Sequence, residues 1–175
     1  MTIDMLKGQV QVYTGDGKGK TTAAVGLSVR VLGAGGSVFF AQFIKARQSS
    51  EFAALESFGG RFCLRRFGRG FVRGAPSKED IDAARAGLHH TREAMLCRCY
   101  DIVVLDEING AVSAGLILPE EIIQLIKDRP DNVELVLTGR GAHADIVAAA
   151  DLVTELKEIK HYYHKGVMAR KGIEY

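Results

Sequence analysis

Tryptophan is absent from this 175-residue chain, and cysteine occurs only three times. What is missing already narrows the reading. No apolar run approaches the roughly 20 residues that a membrane-spanning helix needs, so no span is expected. Met1 to Lys7 lacks the long apolar core of a signal peptide, which makes the cytoplasm the expected location. A formal net charge of +2 comes without a concentrated basic stripe, and no nucleic-acid partner is expected. The odd cysteine count (Cys63, Cys97 and Cys99) offers no paired disulfide framework. Cys97-Arg98-Cys99 also lacks a second pair to complete a zinc site, so buried or half-buried free thiols are expected. Internal repeats and linkers are missing too, which leaves one domain over residues 1–175. With 47% apolar and 25% charged residues, a chain of this size can bury a sizeable core.

Against that background one stretch stands out, Gln9 to Thr22. Gln9-Val10-Gln11-Val12-Tyr13 reads as a short strand, Thr14 to Gly19 as a glycine-rich turn, and Lys20 as the start of a helix. Gly15, Gly17 and Gly19 are expected to take positive φ and turn backbone N–H groups around an anion. The helix N-terminus behind them adds unpaired donors and the positive end of its dipole. Lys20 can reach outer phosphates, and the Thr21 hydroxyl can ligate Mg²⁺. The Walker A pattern G-x-x-x-x-G-K-[ST] would place its first glycine at Thr14, and Gly15 comes one position late. The loop is a variant of a nucleotide-phosphate cradle.

Further along, Ser37–Phe43 reads as a buried strand, and a short helix is expected around Phe52, Leu55 and Phe58. Arg61–Arg66 alternates like a third strand. The basic, glycine-rich loop Phe67–Pro76 is long enough to expect function rather than filler. Ser77 and Asp80 resemble a capping box opening a long helix, whose Ile81, Ala84, Leu88 and Met95 face the sheet. His89 and His90 point about 100° apart on that helix and read as solvated. Pro119-Glu120-Glu121 opens another helix. Asn132–Thr138 reads as a strand, followed by a short helix over His143–Ala149. His161 and His164 are three apart, but no third metal ligand accompanies them. Alternating strands and helices predict an α/β fold with a parallel sheet.

Asp101-Ile102-Val103-Val104-Leu105-Asp106-Glu107 is a near-continuous apolar strand ending in two carboxylates, as a central parallel strand reads. Its carboxyl end lies where open α/β sheets place ligands. With the phosphate loop upstream it reads as a Walker B segment. Asp106 or Glu107 would then hold Mg²⁺, directly or through water.

Taken together, these motifs resemble the P-loop ATP:corrinoid adenosyltransferases. The likeness runs through Tyr13–Thr22, Gln42-Phe43-Ile44-Lys45, Leu105-Asp106-Glu107-Ile108-Asn109, Thr138-Gly139-Arg140-Gly141, Lys160-His161 and Lys171–Tyr175. The displaced first glycine is itself similar to that family's loop. The resemblance implies a RecA-like P-loop fold with a mostly parallel sheet, and usually a homodimer. It also implies transfer of the 5′-deoxyadenosyl group of ATP to a reduced cob(I) corrinoid with release of triphosphate. ATP would lie reversed relative to most P-loop enzymes, presenting C5′ rather than the γ-phosphorus. Implied ATP contacts are Thr14, Gly15, Asp16, Gly17, Lys18, Gly19, Lys20, Thr21, Thr22 and Arg140, with Lys20, Thr21, Glu107 and Phe71 in the catalytic role. An electron-donating flavoprotein is the implied partner.

The departures concern the corrinoid side. Gly70-Phe71-Val72-Arg73 keeps the phenylalanine that covers the lower face of the corrin ring, and Arg73 stands where the family has tryptophan. Phe71 and Arg73 are therefore the expected corrinoid contacts. A guanidinium is costly to desolvate against a ring face, although it can stack on the corrin or pair with acidic substituents. Gly110 replaces a common aromatic, and Arg170 a usual glutamine. The short N-terminus implies no lid helix over the corrinoid. These departures leave two other functions open: an ATP- and corrinoid-binding carrier or sensor, and a P-loop phosphotransferase or ATP hydrolase.

Overall fold

Strands β1 (Val10–Thr14), β2 (Val38–Phe43), β3 (Phe62–Phe67), β4 (Ile102–Asp106), β5 (Glu134–Thr138) and β6 (Leu152–Glu155) form one six-stranded sheet. All its pairings are parallel, in the order β3-β2-β4-β5-β1-β6. The structure is a computed structural model and describes residues 7–44, 49–68, 70 and 74–175. Phe71, Arg73 and Lys45 lie outside the described residues. So do the start of the chain and most of the basic loop's arginines.

The sheet is parallel because nearly every strand is followed by a helix: α1 (Lys20–Gly33), α2 (Ser50–Glu56), α3 (Lys78–Leu96), α4 (Ile108–Ser113), α5 (Pro119–Asp128) and α6 (Ala144–Ala149). Both faces are covered, so the central strands are apolar in both directions. Val103, Leu105, Leu135 and Leu137 face Ala84 and Met95 of α3, Leu125 of α5 and Ile146 of α6. Ile102, Val104 and Val136 point the other way, toward Ala24 and Leu32 of α1 and Phe52 of α2. Phe40 meets Phe52 edge-on with ring centroids 5.0 Å apart. This two-sided core holds the carboxyl ends of β1, β4 and β5 along one edge.

The long helix α3 carries the expected capping box: Asp80 N–H donates to the Ser77 hydroxyl, and Ser77 N–H donates back to the Asp80 carboxylate. His89 and His90 are exposed and pair with Glu93. Helix α4 is not announced by periodicity, because six residues are too few to show a period. It starts abruptly after Glu107, a non-glycine residue in the left-handed region at φ 63°.

The cysteines need correction. Cys63 is half-buried, but Cys97 and Cys99 are exposed. Cys97 caps the C-terminus of α3, and Cys99 lies in the turn before β4, at the rim of the layers rather than between them.

No helix among the described residues is long and apolar enough to cross a membrane.

Candidate active site

The turn between β1 and α1 is held against the sheet by backbone bonds. Gly17 N–H donates to the Leu156 carbonyl at 2.7 Å, and Leu156 N–H to the Thr14 carbonyl at 2.8 Å. Gly15 and Gly19 take φ of 94° and 119°, as expected. Gly17 does not. Its requirement is steric instead, since a Cβ there would sit 2.8 Å from the Leu156 oxygen and from the Lys157 carbonyl carbon. The backbone just after β6 passes too close for any side chain.

Lys20 opens α1 and turns back into this loop. Its ammonium donates to the carbonyls of Gly15 at 2.7 Å and Gly17 at 2.8 Å. The side chain is only 7% exposed. Desolvation is the largest influence on it and lowers its pKa below the ordinary 10.5. Glu107, Asp16 and Asp106 pull the value back up, and Arg140 pushes it further down. A cation that has lost water and faces backbone carbonyls is poised for a polyanion.

Behind the loop, Asp106 gathers three donors. Thr21 and Thr138 hydroxyls donate to its Oδ1 at 2.8 and 2.7 Å, and the Gln42 amide donates to Oδ2 at 3.1 Å. Asp106, Thr138 and Gln42 show no exposed surface, whereas Thr21 is half-buried at the cleft. The Arg66 guanidinium donates in turn to Gln42 Oε1 at 3.4 Å. Glu107 takes a different role. Its backbone N–H donates to Thr138 Oγ1 at 3.0 Å, and its left-handed backbone turns it into the cleft beside the loop. The two adjacent carboxylates thus divide, one tying strands together and one lining the cavity.

That cleft measures about 810 Å³ and includes Lys18, Lys20, Thr21, Thr22, Glu107 and Arg140 in its wall. Asp16 is exposed at its rim, where Arg140 donates to its backbone carbonyl at 3.2 Å and approaches its carboxylate at 3.9 Å. Thr14 is half-buried, and its hydroxyl accepts from Ala142 N–H at 3.2 Å, which ties the β5–α6 loop to the cradle. Lys18 points outward to the residues after β6. His161 lines the cleft, where its Nδ1 accepts from Tyr163 N–H, and His164 pairs with Glu158.

Sequence reasoning assigned no role to Gln42, Thr138, Tyr162 or Glu174. For the first two a signal existed, since each is a polar residue near the carboxyl end of an otherwise apolar strand.

A family model described as ATP:corrinoid adenosyltransferase BtuR/CobO/CobP matches residues 6–175. Over 171 residues the chain is 37% identical to the corrinoid adenosyltransferase of Escherichia coli (strain K12), covering 97% of this chain and 86% of that protein. The corrinoid adenosyltransferase CobA of Salmonella typhimurium (strain LT2) is 38% identical with the same coverage. Among solved structures, the flagellar accessory protein FlaH from Methanocaldococcus jannaschii aligns with a TM-score of 0.58 at 12% identity. It covers 85% of this chain and 71% of that one, a likeness of RecA-like P-loop fold alone.

Proposed function

The chain belongs to the family of ATP:corrinoid adenosyltransferases, and from that premise we propose how its site moves the 5′-deoxyadenosyl group of ATP to a reduced corrinoid. The observation that carries the reading is the buried Lys20 ammonium inside the loop, 2.7 and 2.8 Å from two carbonyls, with Thr21 locked to Asp106 behind it. Co(I) of the corrinoid attacks C5′ of the ribose with its electron pair. The Co–C bond forms, the C5′–O bond breaks, triphosphate leaves with the bonding electrons, and the cobalt becomes Co(III). This demands no proton transfer from the protein. It demands a fixed, charged seat for the leaving group, which Lys20, the loop N–H groups and Arg140 supply.

Mg²⁺ fits the donors present. Thr21 Oγ1 and the Glu107 carboxylate are oxygen ligands beside the cradle, the kind Mg²⁺ takes together with substrate phosphates. These two residues would hold it, and the ion would neutralise charge on the departing triphosphate. Asp106, with its oxygens committed to Thr21, Thr138 and Gln42, orients Thr21 from behind. Asp16, Gly17 and Thr22 complete the ATP contacts, and Thr14 holds the loop in shape. Phe71 and Arg73 are assigned to the corrinoid.

The proposal includes a homodimer, an electron-donating flavoprotein that supplies Co(I), and a cytoplasmic setting. Strand β6 ends the sheet with all four residues exposed, Leu152 and Val153 at 44% and 42%, and offers an apolar edge to a second copy.

The test is anaerobic incubation of the protein and MgATP with chemically reduced cobalamin, cobinamide and an early corrinoid precursor, side by side. Conversion of the Co(I) spectrum to that of an adenosylated corrinoid is expected with at least one. Confirmed ATP binding without conversion of any would overturn the transferase reading in favour of a carrier or sensor.

A further inference from the structure

The residues after β6 fold back over the phosphate loop and take hold of Lys18. The Lys18 ammonium has three protons and spends them all there. It donates to Glu174 Oε1 at 3.0 Å, to the Tyr162 hydroxyl at 2.9 Å and to the Ile173 carbonyl at 3.1 Å. Glu174 is held just as fully. It accepts from the Tyr162 hydroxyl, from the Arg170 backbone N–H at 2.7 Å, and from the Arg170 guanidinium on both oxygens at 3.3 and 3.2 Å. The two cations also lie over the Tyr162 ring, Arg170 at 5.2 Å and Lys18 at 5.7 Å. On the far side of the cleft Ser50, the first residue of α2, donates to the Tyr175 carbonyl at 3.0 Å. The tail thus links the loop to α2, and Gly172 to Tyr175 belong to the wall of the cavity.

Such an arrangement is too elaborate for a stabilising surface pair. The Lys18 side chain is 42% exposed and the Glu174 side chain 16%, and ion pairs at a surface contribute little to folding. A forked Arg–carboxylate contact, by contrast, fixes direction. Glu174 is held well below the usual carboxylate range, first by Arg170 and then by Tyr162, while Lys18 is pushed up by Tyr162 and Glu174. Both stay charged wherever the protein can be assayed. What the tail achieves is a lysine charge held in one place at the lip of the cradle.

We propose that Glu174 is a positioning residue for adenosyl transfer: it fixes the Lys18 ammonium at the mouth of the cradle as a second, preorganised charge for the triphosphate. Lys20 acts inside the loop and Lys18 at its rim, with Arg170 and Tyr162 bracing the carboxylate. The inference rests on reading the Gly15–Lys20 loop as the triphosphate seat.

The test compares Glu174→Gln, Lys18→Met and the double variant in full-length protein, with MgATP and the corrinoid that reacts. Each single variant is expected to raise KM for ATP about fivefold, with kcat at saturating ATP within about twofold, as for a lost charge contact. The double variant should be no worse than either single one, because Glu174 acts through Lys18. Glu174→Asp should recover part of the loss, and thermal midpoints should match wild type. Three results would overturn the proposal: an unchanged KM in Glu174→Gln, losses that multiply in the double variant, or a fall in kcat alone. Lys20→Ala, run in parallel, separates the two layers. If that variant still binds ATP normally, the cradle reading itself fails; if only the Glu174 series is silent, the tail inference fails alone.

Discussion

Two lysines of one loop, Lys18 and Lys20, show how differently the two halves of this site are built. Lys20 is 7% exposed and answers to carbonyls three and five residues away. Lys18 is 42% exposed and answers to a tyrosine 144 positions along the chain. The inner half rests on buried, short-range bonds between groups that have lost their water, where each lost partner is costly. The outer half rests on exposed charges that fix direction more than stability. On the proposed reading, the chemistry that needs a rigid seat lies inside, and adjustment of substrate affinity lies outside.

Several substitutions would break or sharpen this contrast. The largest effect belongs to Lys20→Ala, expected to lower kcat/KM about a hundredfold or more, since the charge lost is the one proposed to seat the leaving group. Asp106→Ala should come next and should show in stability as well as rate. It strands the buried Thr138 and Gln42 donors and releases the half-buried Thr21 hydroxyl, with an expected cost of about 3 kcal/mol by denaturant titration. Glu107→Gln, one residue later, should leave the unfolding midpoint near wild type and raise the Mg²⁺ needed for half-maximal turnover about tenfold. Equal unfolding losses in the two would contradict the division between a structural and a cavity-lining carboxylate. The tail variants at Glu174 and Lys18 come below these, with their change in KM alone.

The smallest effect is a proton count. Desolvation lowers the Lys20 pKa below 10.5, and a bound triphosphate favours the ammonium and raises it again. Between those two values the free protein has partly lost the proton and the complex holds it. ATP binding should then take up a fraction of a proton at alkaline pH and none from Lys20 at neutral pH. Calorimetry in buffers of different ionisation enthalpy would measure it. Proton release at alkaline pH would contradict the assignment.

What could be read from the chain follows the same divide. Thr14–Thr22 and Ile102–Glu107 are local patterns, so their strands, the helix start and the paired carboxylates were legible, and so was the parallel α/β sheet. The role of Gly17 was misjudged because the constraint is the Leu156–Lys157 backbone, 2.8 Å from where a Cβ would lie, not its own φ. The partners of Asp106 were hidden because they arise from register. Gln42 stands level with Asp106 in the β2–β4 pairing, and Thr138 meets it from 32 residues downstream. The Glu174 latch depends on a tail with no periodic pattern. The exposure of Cys97 and Cys99 depends on where the helix layer ends, which composition does not reveal.

On the proposed reading, the cradle grips a leaving group rather than a transferred phosphoryl. That reading is tested most directly by phosphorus NMR of the anaerobic reaction with the corrinoid that turns over. Intact triphosphate should accumulate in step with adenosylated corrinoid, one for one. ADP and phosphate without adenosylated corrinoid would show that this loop serves phosphoryl transfer or hydrolysis instead.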